Sequence, residues 1–164
     1  QASCGGSPWF PVREVGPGNP ILSDSTGEPP PSTFNYAWDI AGEFVVYRFQ
    51  TDALIEFHAA FPESVARTYK LSRKNELTDD GDTLYVGSSR NFASRLQQHF
   101  GFGFEGTYAL HLKRWVPESL RHTPLVVEYW AVQDSRQARP IVLQTLEDYL
   151  WDHSRPAFGR RGSK

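Results

Sequence analysis

The stretch that most constrains this chain is residues 83–100, Thr-Leu-Tyr-Val-Gly-Ser-Ser-Arg-Asn-Phe-Ala-Ser-Arg-Leu-Gln-Gln-His-Phe. Its period changes midway. Residues 83–87 read as a short apolar strand, and Gly87-Ser88-Ser89 as a turn. From Asn91 the apolar positions Phe92, Leu96 and Phe100 recur every four residues, which is helical spacing and predicts one face docked on a core. Arg95 and His99 share that spacing on a neighbouring face. A tyrosine at the end of a strand, with a cation and an imidazole behind it, makes a cradle suited to a phosphodiester.

The rest of the chain supplies a core for this unit. With 164 residues, 39% apolar and 14% aromatic, it predicts one folded domain. Residues 1–33 are rich in Gly, Pro and Ser and read as an irregular arm, leaving 34–164 as the domain. Residues 43–49 and 125–132 are β-branched and aromatic, hence strands. Thr51 is a candidate cap for a helix that ends before Pro62. Residues 68–71 read as a further short strand, and residues 108–115 leave helix and strand both open. A helix is expected from Pro140 to about Ser154. The expected fold is α/β (α+β), with about three antiparallel strands flanked by helices.

That last helix contains an anomaly. At about 100° per residue, Leu143, Leu146, Leu150 and Trp151 surround Glu147. The carboxylate therefore lies inside the apolar stripe. An unpartnered buried charge costs several kcal/mol, so Glu147 is expected to meet a cation, a metal or several donors. Oxygen ligation with water suits Mg2+ or Mn2+.

Charge is unevenly spread. The net is −2, but residues 1–82 hold 6 Lys/Arg against 12 Asp/Glu, and residues 83–164 hold 11 against 7. The basic half is the expected phosphate-facing side, through Arg90, Lys113, Arg114, Arg160 and Arg161. The acidic N-terminal half offers a surface for a protein partner. Cys4 stands alone, so no internal disulfide forms and a cytoplasmic setting is expected. No apolar run suits a membrane span. Methionine is absent, so the chain reads as processed or as a piece of something longer.

The segment Tyr85-Val86-Gly87, with Arg95 and His99 following, resembles the second half of the signature of the GIY-YIG nuclease superfamily, of homing and restriction-endonuclease type. The resemblance spans roughly residues 43–160. It implies a small mixed domain around a three-stranded antiparallel sheet, and a DNA endonuclease that depends on Mg2+ or Mn2+. It implies a catalytic set of Tyr47, Tyr85, Arg95, His99 and Glu147, with Glu147 holding the metal. Tyr47, in Val45-Val46-Tyr47, is the best match for the first signature tyrosine, with Tyr69 the competitor. The position where the family usually carries asparagine is Gly159, so its amide is either supplied from elsewhere or missing. A nuclease-derived domain that only binds nucleic acid or protein is the alternative, and the nuclease toxin domain of a longer effector is a further setting.

Overall fold

The computed structural model describes residues 12–15, 22–23, 45–131 and 140–162, the first two spans and residue 131 as backbone. Strands β1 (Val12–Val15), β2 (Leu22–Ser23) and β3 (Val45–Gln50) precede helix α1 (Leu54–Ala60). Strand β4 (Thr83–Ser89), helix α2 (Phe92–Phe100), strand β5 (Leu125–Ala131) and helix α3 (Pro140–Ser154) follow.

The sheet order is β2-β1-β5-β3-β4. The expected antiparallel trio forms one end of it, with β3 between β4 and β5. Two strands come from the segment read as an irregular arm. Val12–Val15 pairs parallel to β5, and β2 pairs antiparallel to β1. Pairing to β5 on one side and to β2 on the other makes this segment a strand.

Alternation along β3 and β4 sorts the faces. Val45, Tyr47 and Phe49 are fully buried on one face with Leu96 and Phe100 of α2. Burying such side chains stabilises by about 1.5–3 kcal/mol each. Arg48 alternates to the other face, where its Nη1 donates to Ser154 Oγ of α3 at 3.2 Å. Helices α2 and α3 thus cover opposite faces.

Helix α2 starts where the sequence says. The Asn91 side chain accepts the Ser94 N–H at 3.1 Å, an N-cap bond. Three local expectations are corrected. Thr51 does not cap α1: its Oγ1 accepts the Ala53 N–H at 3.2 Å, and Ala53 takes the cap position with no side-chain bond. Residues 68–71 form a turn, with Lys70 at φ 53°, and only Leu71 bridges, to Ala109. Leu146 is 42% exposed, so the apolar stripe of α3 is narrower than expected, with Leu143 and Glu147 buried in it. Residues 108–115 resolve into a bridge and a single 3-10 turn at Leu112–Arg114.

Candidate active site

The β3–β4 pair sets the tyrosines. Tyr47 pairs with Gly87 and Phe49 with Tyr85, so Tyr47 and Tyr85 share a face of adjacent strands. Their rings stack with centroids 6.2 Å apart and planes 27° apart. Gly87 makes this possible. A Cβ there would lie 2.7 Å from Tyr85 Cε1 and 2.8 Å from the Tyr47 hydroxyl. Tyr69 is elsewhere, beneath the Arg114 guanidinium at 5.2 Å.

Helix α2 lays its polar pair onto these rings. His99 is fully buried, and its Nε2 lies 2.9 Å from the Tyr47 hydroxyl. Its Nδ1 accepts the Leu110 backbone N–H at 3.1 Å. That nitrogen therefore carries no proton, the neutral ring is protonated on Nε2, and His99 donates to Tyr47. Burial holds the His99 imidazole well below its usual value, with Arg95 and His111 adding to the effect.

Arg95 faces outward beside Tyr85. Its Nη2 donates to the Tyr85 hydroxyl at 3.2 Å and to the Tyr108 carbonyl at 2.9 Å, and its Nη1 to Gln98 Oε1 at 2.8 Å. Burial pushes the Tyr85 phenol above its usual value, against the opposing pull of Arg95. Burial pushes Tyr47 up further, and Tyr85 adds to it. Both tyrosines are therefore neutral hydroxyls near pH 7.

Glu147 approaches from the α3 face. Ser88, one residue beyond Gly87 and so on the opposite side of β4, donates its hydroxyl to Glu147 Oε2 at 2.5 Å. The Glu147 charge nonetheless bears on both phenols, raising each. Among the described residues, no group of three or more His, Cys, Asp or Glu could ligate a metal. A single buried carboxylate fits a cation that keeps most of its own water, as Mg2+ does.

A groove of about 510 Å3 opens over Tyr85 and Arg95. Arg67, Arg73, Lys74 and Arg160 also line it, and no acidic side chain does. Of the five basic residues expected to meet phosphates, Arg160 is here. Arg161 instead grips Asp152 with two bonds of 2.7 and 2.9 Å, and Arg114 pairs with Glu105. Lys113 lies over the Phe102 ring at 4.6 Å, and Arg90 is exposed beside Ser88 and Ser89. Sequence reasoning missed Arg67, Arg73 and Lys74. A signal existed, because four of the six Lys/Arg of residues 1–82 fall within 67–74. Averaging over the acidic half hid them.

The C-terminal segment closes the groove. Gly159, at φ 108°, packs its backbone on Tyr85, where a Cβ would come within 3.0 Å of the ring. A side chain at this position would push on Tyr85. The Asn75 side chain holds this segment: its Nδ2 donates to the Pro156 and Gly159 carbonyls, each at 3.0 Å.

The buried imidazole makes stability depend on pH. An unfolded histidine protonates below about pH 6.5, while folded His99 resists it, so the unfolded state then binds more protons. The His99 contribution is complete above that pH and is lost as pH falls. Denaturant titration should show stability falling through this residue as pH is lowered below about 6.5. The His99→Gln protein should show a correspondingly flatter profile, and equal profiles would refute the assignment.

A family model described as the GIY-YIG catalytic domain matches residues 68–161. No curated protein and no solved structure matches the chain significantly. The match takes in Tyr85, Arg95, His99 and Glu147, while the strand bearing Tyr47 precedes it. With more than half its length covered, and with the antiparallel trio and flanking helices around the paired tyrosines, the chain belongs to the GIY-YIG catalytic domain family.

Proposed function

We propose that this domain is a divalent-metal-dependent DNA endonuclease that hydrolyses phosphodiester bonds over Tyr85 and Arg95. The observation carrying this reading is the Arg95–Tyr85 hydrogen bond at the base of a groove lined by cations and no acids. A phosphate there meets a guanidinium already desolvated and held by three acceptors. That arrangement favours the charge of a pentacovalent phosphate over the ground state. The Arg95 N–H occupies a lone pair of the Tyr85 oxygen, so the phenol hydrogen is available to a phosphoryl oxygen. A phenol raised above its usual value of about 10 does not ionise in advance. Any proton that a tyrosine takes from water must therefore move in concert with its own. Tyr47 is fully buried behind Tyr85. Its part is to set the Tyr85 ring, and His99, as donor, orients the Tyr47 hydroxyl.

Nucleases of this family generally depend on a divalent metal. Glu147 would hold Mg2+ or Mn2+ here, supplying Lewis-acid stabilisation of charge on the phosphate and leaving oxygen.

Supercoiled plasmid should be nicked or linearised with Mg2+ and left intact with EDTA. Arg95→Ala should lower the rate by about 10²–10³-fold, as loss of one well-placed transition-state donor does elsewhere, and weaken binding much less. Wild-type protein that cuts no linear, supercoiled or branched DNA with either metal would favour the second reading, a nuclease-derived binding domain. Gly159, in place of the family's usual asparagine, is the observation on that side.

A further inference from the structure

The segment inserted between the two tyrosine strands carries more cation than the catalytic chemistry uses. Arg67 and Arg73 are exposed, as is Arg160 across the groove. No ion pair to any of the three occurs among the described residues. Other arginines of this protein are neutralised in place, notably Arg48 by Glu128, Arg114 by Glu105 and Arg161 by Asp152. Lys74 is held by Glu63 at 2.9 Å. Three arginines left without acidic partners, all on one groove, mark a surface that meets anions from outside.

Their spacing is fixed by backbone. The Gly159 N–H donates to the Arg73 carbonyl at 2.7 Å, and Lys74 bridges Phe158. Arg73 and Arg160 therefore stand on two neighbouring, backbone-bonded segments that both line the groove. Lys70, in the left-handed region at φ 53°, turns the chain so that Arg67 and Arg73 both reach the groove.

We propose that Arg67, Arg73 and Arg160 form a track for the phosphate backbone of the nucleic acid, leading along the inserted segment to the phosphate over Tyr85 and Arg95. The proposal rests on the nuclease reading for the identity of the polyanion. It adds Arg67 and Arg73 of the acidic half to Arg160 as substrate-binding residues and removes that role from Arg114 and Arg161. A duplex is the expected occupant, and contacts are to phosphates, so binding is insensitive to sequence.

Fluorescence anisotropy of a labelled duplex, with EDTA present so that nothing is cut, reads binding separately from cleavage. From about 50 to about 200 mM salt, each phosphate contact adds about 0.9 to the slope of log K against log salt. The Arg67→Gln/Arg73→Gln protein should lose about 1.8 of that slope, and Arg160→Gln about 0.9. The Arg114→Gln/Arg161→Gln protein should keep the wild-type slope. An unchanged slope in the Arg67/Arg73 variant overturns the track, while plasmid cleavage by wild type would leave the nuclease reading standing. A wild type that binds no duplex overturns both.

Discussion

Glu147→Gln protein is expected to bind DNA as tightly as wild type, or slightly more tightly, and to cut none of it with Mg2+ or Mn2+. Glutamine keeps an acceptor for the Ser88 hydroxyl, now 2.5 Å from Glu147 Oε2, so the packing of α3 on β4 should persist. What it loses is the negative charge. A divalent cation supplies several kcal/mol of transition-state stabilisation. At 1.36 kcal/mol per tenfold, about 4 kcal/mol is about a 10³-fold loss. Removing a carboxylate whose charge reaches Tyr47 and Tyr85 also relieves repulsion toward a phosphate over Tyr85, hence the unchanged or tighter binding. Single-turnover cleavage, set beside anisotropy, separates the two effects. A Gln variant that still cuts at near wild-type rate would remove Glu147 from the chemistry and leave it a buried partner of Ser88.

The second large effect is steric. Gly87→Ala should cost about 1–3 kcal/mol of stability by overpacking and lower the cleavage rate by about 10²-fold or more. The new methyl would fall 2.7 Å from Tyr85 Cε1, 2.8 Å from the Tyr47 hydroxyl and 3.0 Å from Tyr47 Cζ. Tyr47 has no room to yield, with its ring 4.9 Å from Phe92 and 5.8 Å from Phe49 between centroids. Tyr85 must then tilt, and the Arg95 bond at 3.2 Å goes with it. Displacements of about 1 Å at a reacting centre are worth such factors in rate. Thermal melts and initial rates on the same preparation test this. An alanine variant that melts and cuts like wild type would mean the rings are less tightly apposed than these distances.

What could be read from residues alone was whatever depends on near neighbours. The strand and helix of residues 83–100 were legible because an apolar run gives way to apolar residues four apart, but the expected turn at Gly87-Ser88-Ser89 is strand, paired to Tyr47, Val46 and Val45. Glu147 was legible as a charge in an apolar stripe, and it is buried. Its partner was not, because Ser88 lies 59 positions away and carries no pattern of its own. The same holds for His99. Its spacing from Arg95 suggested a shared face, but its role as a donor follows from a backbone N–H at Leu110. The cationic groove was missed for a different reason. Charge summed over half the chain measures a net field, and a groove is built from a few side chains regardless of that sum. The irregular arm hid two strands because pairing to β5, and not local propensity, makes Val12–Val15 extended.

The seam between residues 73–75 and 156–159 also has a consequence in time. Asn75 reaches the Pro156 carbonyl across 81 positions and the Gly159 carbonyl across 84. Closing so long a loop is among the last steps available to a chain made from its N-terminus. Until residue 160 has left the ribosome, the paired tyrosines can assemble but the wall beside Tyr85 cannot. Tyr85 and Arg95 thus gain the wall that Gly159 and Arg160 supply only once this later segment has folded back onto residues 73–75.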